Sequence, residues 1–140
     1  MKELPGDVFV TGQLTAEHIR LLSEQGVRGF INNRPENEGP GQPSSTELSD
    51  AATSAGAEYA HIPMQGMLTP DLLAQSDAAF RELPRPIVAF CASGMRSAAL
   101  WAFSHAENMG TDTVMKSLDV AGYNLSQLRP QIEARLRSLG

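Results

Sequence analysis

Residues 86–101, PIVAFCASGMRSAALW, are the most informative about the fold, because they join two kinds of pattern through a short polar loop. Residues 86–90 form a short apolar run that predicts a buried strand, and the residues from about Ser97 onward carry apolar side chains at helical spacing. Between them lies Cys91, the only cysteine among 140 residues. The stretch therefore predicts a strand, a loop that begins with a thiol, and a helix.

The rest of the chain continues this alternation of short apolar runs and longer helical patterns. Three further runs predict strands at residues 7–10, 29–32 and 58–63. Side chains suited to capping precede three of the helical patterns, namely Thr15, Ser44 and Thr69. The segment after Gly110 predicts two more helices that cover one face of the sheet. This alternation is typical of an α/β fold, and we expect a single domain over residues 1–140 with a mostly parallel sheet of about four strands flanked by helices.

Composition and charge exclude several classes of function. Of the 140 residues, 41% are hydrophobic and 19% are charged, which is typical of a globular domain. The net charge of -5 argues against a nucleic-acid surface, and no apolar run approaches the roughly 18 residues of a membrane span. One cysteine cannot form an internal disulfide, so the reducing cytoplasm is the expected location. We expect neither a metal nor a cofactor, because the three histidines show no ligand spacing with Cys91.

The loop after Cys91 has the composition of an anion-binding site. In a strand–loop–helix arrangement its backbone N–H groups can turn towards the sulfur, and the following helix adds the positive end of its dipole. Gly94 permits backbone angles that a side chain would forbid, and Arg96 adds a permanent positive charge. Such surroundings lower a cysteine pKa from about 8.5 to between roughly 3.5 and 7.5. We therefore predict Cys91 and Arg96 as catalytic residues. The residues predicted to bind the anion around them are Ala92, Ser93, Gly94, Met95 and Ser97.

A second polar loop, residues 33–43, follows the strand predicted at residues 29–32. Loops at the carboxyl ends of parallel strands surround the ligand site in open α/β sheets, so Arg34 is expected near the cysteine loop. Gln13, after the first strand, is a further candidate for the pocket lining, and His61 is interpreted as structural. The competing interpretations are a proline-rich surface loop and an inert, buried Cys91.

Five segments resemble a known protein family: GQLTAEH (12–18), INNRPENEGPGQPS (31–44), AEYAHIPM (57–64), LTPDLL (68–73) and CASGMRSAALW (91–101). They are similar to the phosphatase-like domain of the beta-lactamase-hydrolase-like proteins, and the likeness extends from about Val8 to Gln127. The cysteine loop also resembles the active-site loops of cysteine-dependent phosphatases and rhodaneses. The resemblance implies a fold like that of dual-specificity phosphatases and a role for Arg34 in binding an anionic substrate. It also implies a bacterial setting, with a persulfide dioxygenase as a candidate partner.

The length of the cysteine loop bears on whether the bound anion is phosphate or sulfur. The phosphatases that it resembles have five residues between the nucleophile and the arginine, whereas four separate Cys91 from Arg96, as in rhodaneses. We expect this shorter loop to enclose one extra sulfur atom and to exclude phosphate. Those phosphatases also use an aspartate on the loop after the third strand as general acid. Here residues 64–70 contain no carboxylate, and Asp71 fits the first turn of a helix.

The expected function is a sulfurtransferase that moves sulfane sulfur through a persulfide on Cys91. The expected donor is glutathione persulfide or thiosulfate, and the expected acceptor is a thiol, sulfite or cyanide. One alternative is an aryl-phosphate or protein-tyrosine phosphatase that forms a phosphocysteine, because a phenol with a pKa of about 10 is a fair leaving group. The other is a binding or persulfide-sensing module in which Cys91 is modified without turnover.

Overall fold

Five β-strands and six α-helices build the described part of the chain, residues 1–139 of a computed structural model. The strands are β1 (Lys2–Leu4), β2 (Val8–Thr11), β3 (Gly29–Asn32), β4 (Glu58–His61) and β5 (Ile87–Phe90). The helices are α1 (Ala16–Glu24), α2 (Ser45–Ser54), α3 (Pro70–Glu82), α4 (Met95–Met109), α5 (Thr111–Ala121) and α6 (Arg129–Leu139), with a short 3-10 turn at Ser126–Leu128. Strands and helices alternate from β2 to α4, which confirms the predicted α/β class.

The strand β5 lies at the centre of the sheet, whose order is β1-β2-β5-β3-β4. It pairs in parallel with β2 and β3, and β3 pairs in parallel with β4. All its residues are fully buried. A strand that is covered on both faces explains the uninterrupted apolar sequence. The loop that begins with Cys91 therefore leaves the middle of the sheet at its carboxyl edge.

The sheet has five strands rather than about four, because the prediction lacked β1. This strand pairs antiparallel with β2 at the edge of the sheet. Of its residues only Leu4 is buried, whereas Lys2 and Glu3 are exposed. A three-residue strand with one buried side chain carries too little pattern to be recognised in the sequence. The remaining strands are parallel, so the prediction of a mostly parallel sheet is confirmed.

The helices cover both faces of the sheet. Alternate residues of β5 point to opposite faces: Ile87 and Ala89 belong to a larger core, whereas Val88 and Phe90 belong to a smaller one. Residues of α3, α4, α5 and α6 contribute to the larger core, and residues of α1 and α2 to the smaller one. The last two helices therefore pack on the same face, as the sequence indicated.

Three helices begin at the side chains that were predicted to cap them. Each hydroxyl accepts a hydrogen bond from the N–H three residues later, at 3.1, 3.1 and 3.2 Å for Thr15, Ser44 and Thr69. The start of α4 differs from the prediction, since the helix begins at Met95 and not at Ser97. Its N-cap is Gly94, whose φ of 96° turns the chain into the helix directly after the loop.

The histidines make contacts within the protein. Nδ1 of His18 accepts a hydrogen bond from the N–H of Thr15 at 3.1 Å, and the ring of His105 stacks on Trp101 with centroids 5.1 Å apart. Among residues 1–139, no group of three or more His, Cys, Asp or Glu side chains is placed to hold a metal ion. No helix in this described part is long and apolar enough to cross a bilayer.

Candidate active site

Cys91 directly follows β5 and is fully buried. Its N–H donates to the carbonyl oxygen of Thr11 at 3.4 Å, which extends the pairing of β2 with β5 by one residue. The next two residues, Ala92 and Ser93, are exposed, and Gly94 is buried again. The chain thus turns outward and back between the strand and α4, with the sulfur on the inner side of the turn.

Backbone N–H groups surround this sulfur. The N–H of Gly94 donates to Cys91 Sγ at 3.1 Å, and the N–H groups of Ser97 and Ser93 also donate to it. Burial raises the pKa of the Cys91 thiol, but the hydrogen bonds to the sulfur, chiefly from the three N–H groups, lower it by more, so the pKa lies below its ordinary value. The site therefore stabilises the thiolate, which is the nucleophilic form of cysteine.

Ser97 connects the cysteine loop to the second polar loop through Asn33. Ser97 Oγ donates to Asn33 Oδ1 at 2.8 Å, and Asn33 Nδ2 donates to the carbonyl oxygen of Ile62 at 2.8 Å. Because the amide nitrogen of Asn33 faces a carbonyl, its Oδ1 is left to accept the single hydroxyl proton of Ser97. Ser97 thus gives its backbone N–H to the sulfur and uses its hydroxyl to join the two loops.

Tyr123 covers one side of the cysteine loop and is not among the residues predicted for the site. A Cβ atom on Gly94 would lie 2.6 Å from the hydroxyl oxygen of Tyr123 and 3.3 Å from the backbone of Thr11. Burial, followed by the charge of Cys91, raises the pKa of the Tyr123 hydroxyl, which therefore stays protonated. Tyr123 follows α5, and no local signal in its segment connects it with the cysteine.

Arg34 and Arg96 both bind the carboxylate of Glu38, which is not among the residues predicted for the site. Arg96 donates from Nη2 to Oε1 at 2.7 Å and from Nη1 to Oε2 at 2.8 Å, while Arg34 donates from Nε to Oε1 at 3.0 Å. Nη1 of Arg96 also donates to the carbonyl oxygen of Met64 at 3.0 Å. The bonds from Arg96 and Arg34 outweigh the effect of burial and lower the pKa of Glu38 to about 2. Glu38 is therefore an anion at neutral pH.

The structure brings the two predicted loops together. Arg34 Nη1 donates to Gln13 Oε1 at 3.0 Å, and the N–H of Gln13 donates to the carbonyl oxygen of Ala92 at 3.4 Å. Gln13 therefore links Arg34 to the cysteine loop. His61 Nε2 lies 2.8 Å from the carbonyl oxygen of Arg34 and supports the backbone of the second loop.

Arg96 and Met95, both predicted for the site, and Asp71, expected in the first turn of a helix, have different surroundings. Glu38 is the main cause of a raised pKa of Arg96 and the charge of Cys91 adds to it, so Arg96 lies within electrostatic range of the sulfur. The side chain of Met95 is directed to solvent, with 43% of the residue exposed. Asp71 lies exposed in the first turn of α3. The catalytic and binding roles of these residues, and of the rest of the loop, stay predictions.

Comparison with known proteins identifies the family. The model of the family "Beta-lactamase hydrolase-like protein, phosphatase-like domain" matches residues 1–108. A beta-lactamase hydrolase-like protein of Agrobacterium fabrum is 35% identical over 101 residues, which are 69% of this chain and 23% of the relative. The chain thus spans less than a quarter of the length of that curated relative.

Solved structures of low sequence identity share the fold. A candidate phosphatase of Neisseria meningitidis superposes with a TM-score of 0.80 at 24% identity, covering 95% of this chain and 96% of the other. The core catalytic domain of the PP-IP phosphatase SIW14 of S. cerevisiae gives a TM-score of 0.67 at 17% identity, covering 94% and 82%. The cysteine-phosphatase-like fold implied by the sequence resemblance is thereby confirmed. Together with the family match, it shows that this chain belongs to the phosphatase-like domain family of the beta-lactamase hydrolase-like proteins.

Proposed function

We propose that this chain is a sulfurtransferase that carries a sulfane sulfur on Cys91. The observation that carries the proposal is that the loop amides face the sulfur while Glu38 and Met64 engage both terminal nitrogens of Arg96. A phosphoryl group would need those guanidinium hydrogens for its outer oxygens. A single sulfur atom on Cys91 needs only the N–H groups and the helix dipole, both of which are in place.

The reaction that we propose has two steps. The Cys91 thiolate attacks the outer sulfur of a donor persulfide R–S–SH, the S–S bond breaks, and R–S⁻ leaves with both bonding electrons. The outer sulfur keeps its proton and forms Cys91–S–SH. An acceptor thiolate, sulfite or cyanide then attacks that sulfur and regenerates the Cys91 thiolate, so the kinetics are of the ping-pong type. The N–H groups of the loop stabilise the negative charge that builds on sulfur in both steps.

The carboxylate of Glu38 is not suited to act as a general acid, so the site favours a leaving group that needs none. An alcohol has a pKa near 15.7, whereas a thiol has one of about 8.5, a gap of about 7 units or roughly 9–10 kcal/mol in basicity. Glu38, with its pKa lowered to about 2, holds no proton that it could donate at neutral pH. This arrangement supports sulfur transfer, with its thiolate leaving group, over hydrolysis of alkyl phosphates.

The second candidate function is an aryl-phosphate or protein-tyrosine phosphatase that forms a phosphocysteine. The comparisons favour this alternative over sulfur transfer, because the structural neighbours are described as phosphatases. Phenols also leave more readily than alcohols, since their pKa is about 10. Our preference for sulfur transfer rests on the local geometry of the loop and on the engagement of Arg96, not on the fold.

Intact mass spectrometry tests the proposal. The protein is incubated with glutathione persulfide or thiosulfate, and Cys91→Ser serves as the matched control. We expect the wild type alone to gain the mass of one sulfur and to lose it on addition of sulfite or cyanide, through repeated cycles. A Cys91-dependent hydrolysis of aryl phosphate without any sulfur gain would support the phosphatase instead. A gain that no acceptor discharges would indicate a persulfide sensor.

A further inference from the structure

We infer that Glu38 determines the charge of the donor that the site accepts. In this inference, which rests on the proposed sulfur transfer, Glu38 favours organic persulfides, whose reacting end carries at most one negative charge. It disfavours dianions, of which thiosulfate and phosphate monoesters are examples. Glu38 is thus a specificity-determining residue and takes no part in bond breaking.

The position of Glu38 is defined by the loop that carries it. Its N–H donates to Gln42 Oε1 at 3.0 Å, and Gln42 Nε2 donates to the carbonyl oxygen of Pro35 at 2.8 Å. A Cβ atom on Gly39 would lie 2.7 Å from Arg34 Nη2, so the guanidinium packs against the backbone of the same loop. The carboxylate is therefore presented to the arginines by a structured turn and is not a chance contact of a long surface side chain.

Glu38 binds both Arg96, which the loop pattern predicts as catalytic, and Arg34, to which the resemblance assigns anion binding. The side chains of Arg34 and Arg96 are 16% and 24% exposed, and that of Glu38 is 34% exposed. Solvent therefore screens these charges only in part. An anionic donor that uses either guanidinium has to compete with a carboxylate that already binds both.

The balance of charges in the site decides which donors meet repulsion. In the reactive state, with Cys91 as the thiolate, the two guanidinium groups carry two positive charges, while Glu38 and Cys91 carry two negative ones. The four charges of the site therefore sum to zero before a donor binds. A bound dianion brings the sum to two negative charges, whereas the reacting end of an organic persulfide brings it to at most one. Loss of the Glu38 charge would give the site a net positive charge, and because this change acts on both charges of a dianion but on only one of a persulfide anion, it would favour the dianion.

The variant Glu38→Gln tests the inference, because it removes the charge and keeps the length of the side chain. Glu36→Gln is the matched control: Glu36 lies in the same loop, and its Oε1 accepts a hydrogen bond from the N–H of Ser45 at 2.6 Å, a bond that an amide oxygen also accepts. Two quantities are measured, namely the dissociation constant of inorganic phosphate by calorimetry and the ratio of kcat/KM for thiosulfate to kcat/KM for glutathione persulfide.

For Glu38→Gln we expect phosphate to bind at least about tenfold more tightly. The ratio of kcat/KM for thiosulfate to kcat/KM for glutathione persulfide should rise at least about tenfold, because the KM for thiosulfate falls. Glu36→Gln should leave both quantities at the wild-type values. Glu38→Ala, the second variant, should tighten phosphate binding to a similar degree. Unchanged phosphate affinity in both Glu38 variants, or equal effects on the two donors, would overturn the inference. Failure of the wild type to take up sulfur would instead refute the proposed function, since the phosphate measurement still reports on Glu38.

Discussion

At the scale of single residues, two opposing effects act on the pKa of the Cys91 thiol. Its complete burial favours the neutral form, whereas the N–H groups of Ser97, Ser93 and Gly94 favour the thiolate and prevail. The largest of these contributions come from the backbone, so side-chain substitutions at the serines leave most of the stabilisation in place. The nucleophile therefore depends on the path of the loop more than on the identity of the neighbouring side chains.

We predict that Cys91 remains reactive at a pH where an ordinary thiol is protonated. The rate of alkylation by iodoacetamide should follow a titration whose midpoint lies below about 8.5 in the folded protein and near that value in concentrated urea. Because the folded pKa is the lower one, the thiolate stabilises the fold above the unfolded pKa, and this contribution is lost as the pH falls through the folded pKa.

The measurement is a pH–rate profile of the folded and the unfolded wild type, with Cys91→Ser as the blank. A midpoint in the folded protein at or above that of the unfolded chain would contradict the stabilised thiolate.

At the scale of secondary-structure elements, the site depends on the junction between β5 and α4. Gly94 occupies this junction with φ of 96° and serves as the N-cap of α4. The left-handed conformation lets the chain reverse between strand and helix within a few residues, so that α4 starts directly beside the sulfur. Thr11 and Tyr123 leave no room for a side chain at this position.

We predict that Gly94→Ala is more destabilising than the same change at another glycine of positive φ. Gly26→Ala is the control, because Gly26 has φ of 109° and a Cβ there meets nothing within 4 Å. The control should lower the free energy of unfolding by about 1–2 kcal/mol, because alanine is strained in the left-handed conformation. Gly94→Ala should cost about 1–3 kcal/mol more through overpacking against Tyr123 and Thr11.

Urea denaturation followed by circular dichroism measures both variants. Adding Tyr123→Phe to Gly94→Ala should recover part of the loss, since it removes the nearest atom, and the double-mutant cycle gives the coupling energy. Equal destabilisation by the two glycine variants would show that Tyr123 does not restrict the loop.

At the scale of the whole molecule, β5 connects two hydrophobic cores on opposite faces of one sheet. Val88 faces the smaller core, while Trp101 on α4 is fully buried in the larger one. Nε1 of Trp101 also donates to the carbonyl oxygen of Pro5 at 3.2 Å, which ties α4 to the connection between β1 and β2. The cores share the central strand, so neither face can unfold without disturbing the other.

We predict that the two faces unfold in a single transition. Val88→Ala should lower the free energy of unfolding by about 1–3 kcal/mol by creating a cavity in the smaller core. The urea midpoint measured by Trp101 fluorescence, which reports on the larger core, should fall by the same amount as the midpoint measured by far-UV circular dichroism. A Trp101 transition that stays at its wild-type midpoint would mean that the cores unfold independently.

Features whose signals are local could be predicted from the amino-acid sequence alone. Four apolar runs predicted the parallel part of the sheet, hydroxyl residues predicted the starts of three helices, and the cysteine–glycine–arginine spacing predicted the loop around the sulfur. Each of these depends on contacts between residues close in the chain, or on a pattern that repeats within one element. The edge strand β1 was not predicted, because only one of its residues, Leu4, is buried.

The surroundings of the cysteine loop depend on tertiary contacts that no local pattern predicts. The bonds between Glu38 and Arg96 join residues 58 positions apart, and Tyr123 reaches Gly94 from beyond α5. In the sequence Glu38 is one acidic residue of a polar, proline-rich segment. A charge acquires its role from the charges that surround it in space, and those are set by the packing of β3 against β5, which brings the two loops to the same edge of the sheet.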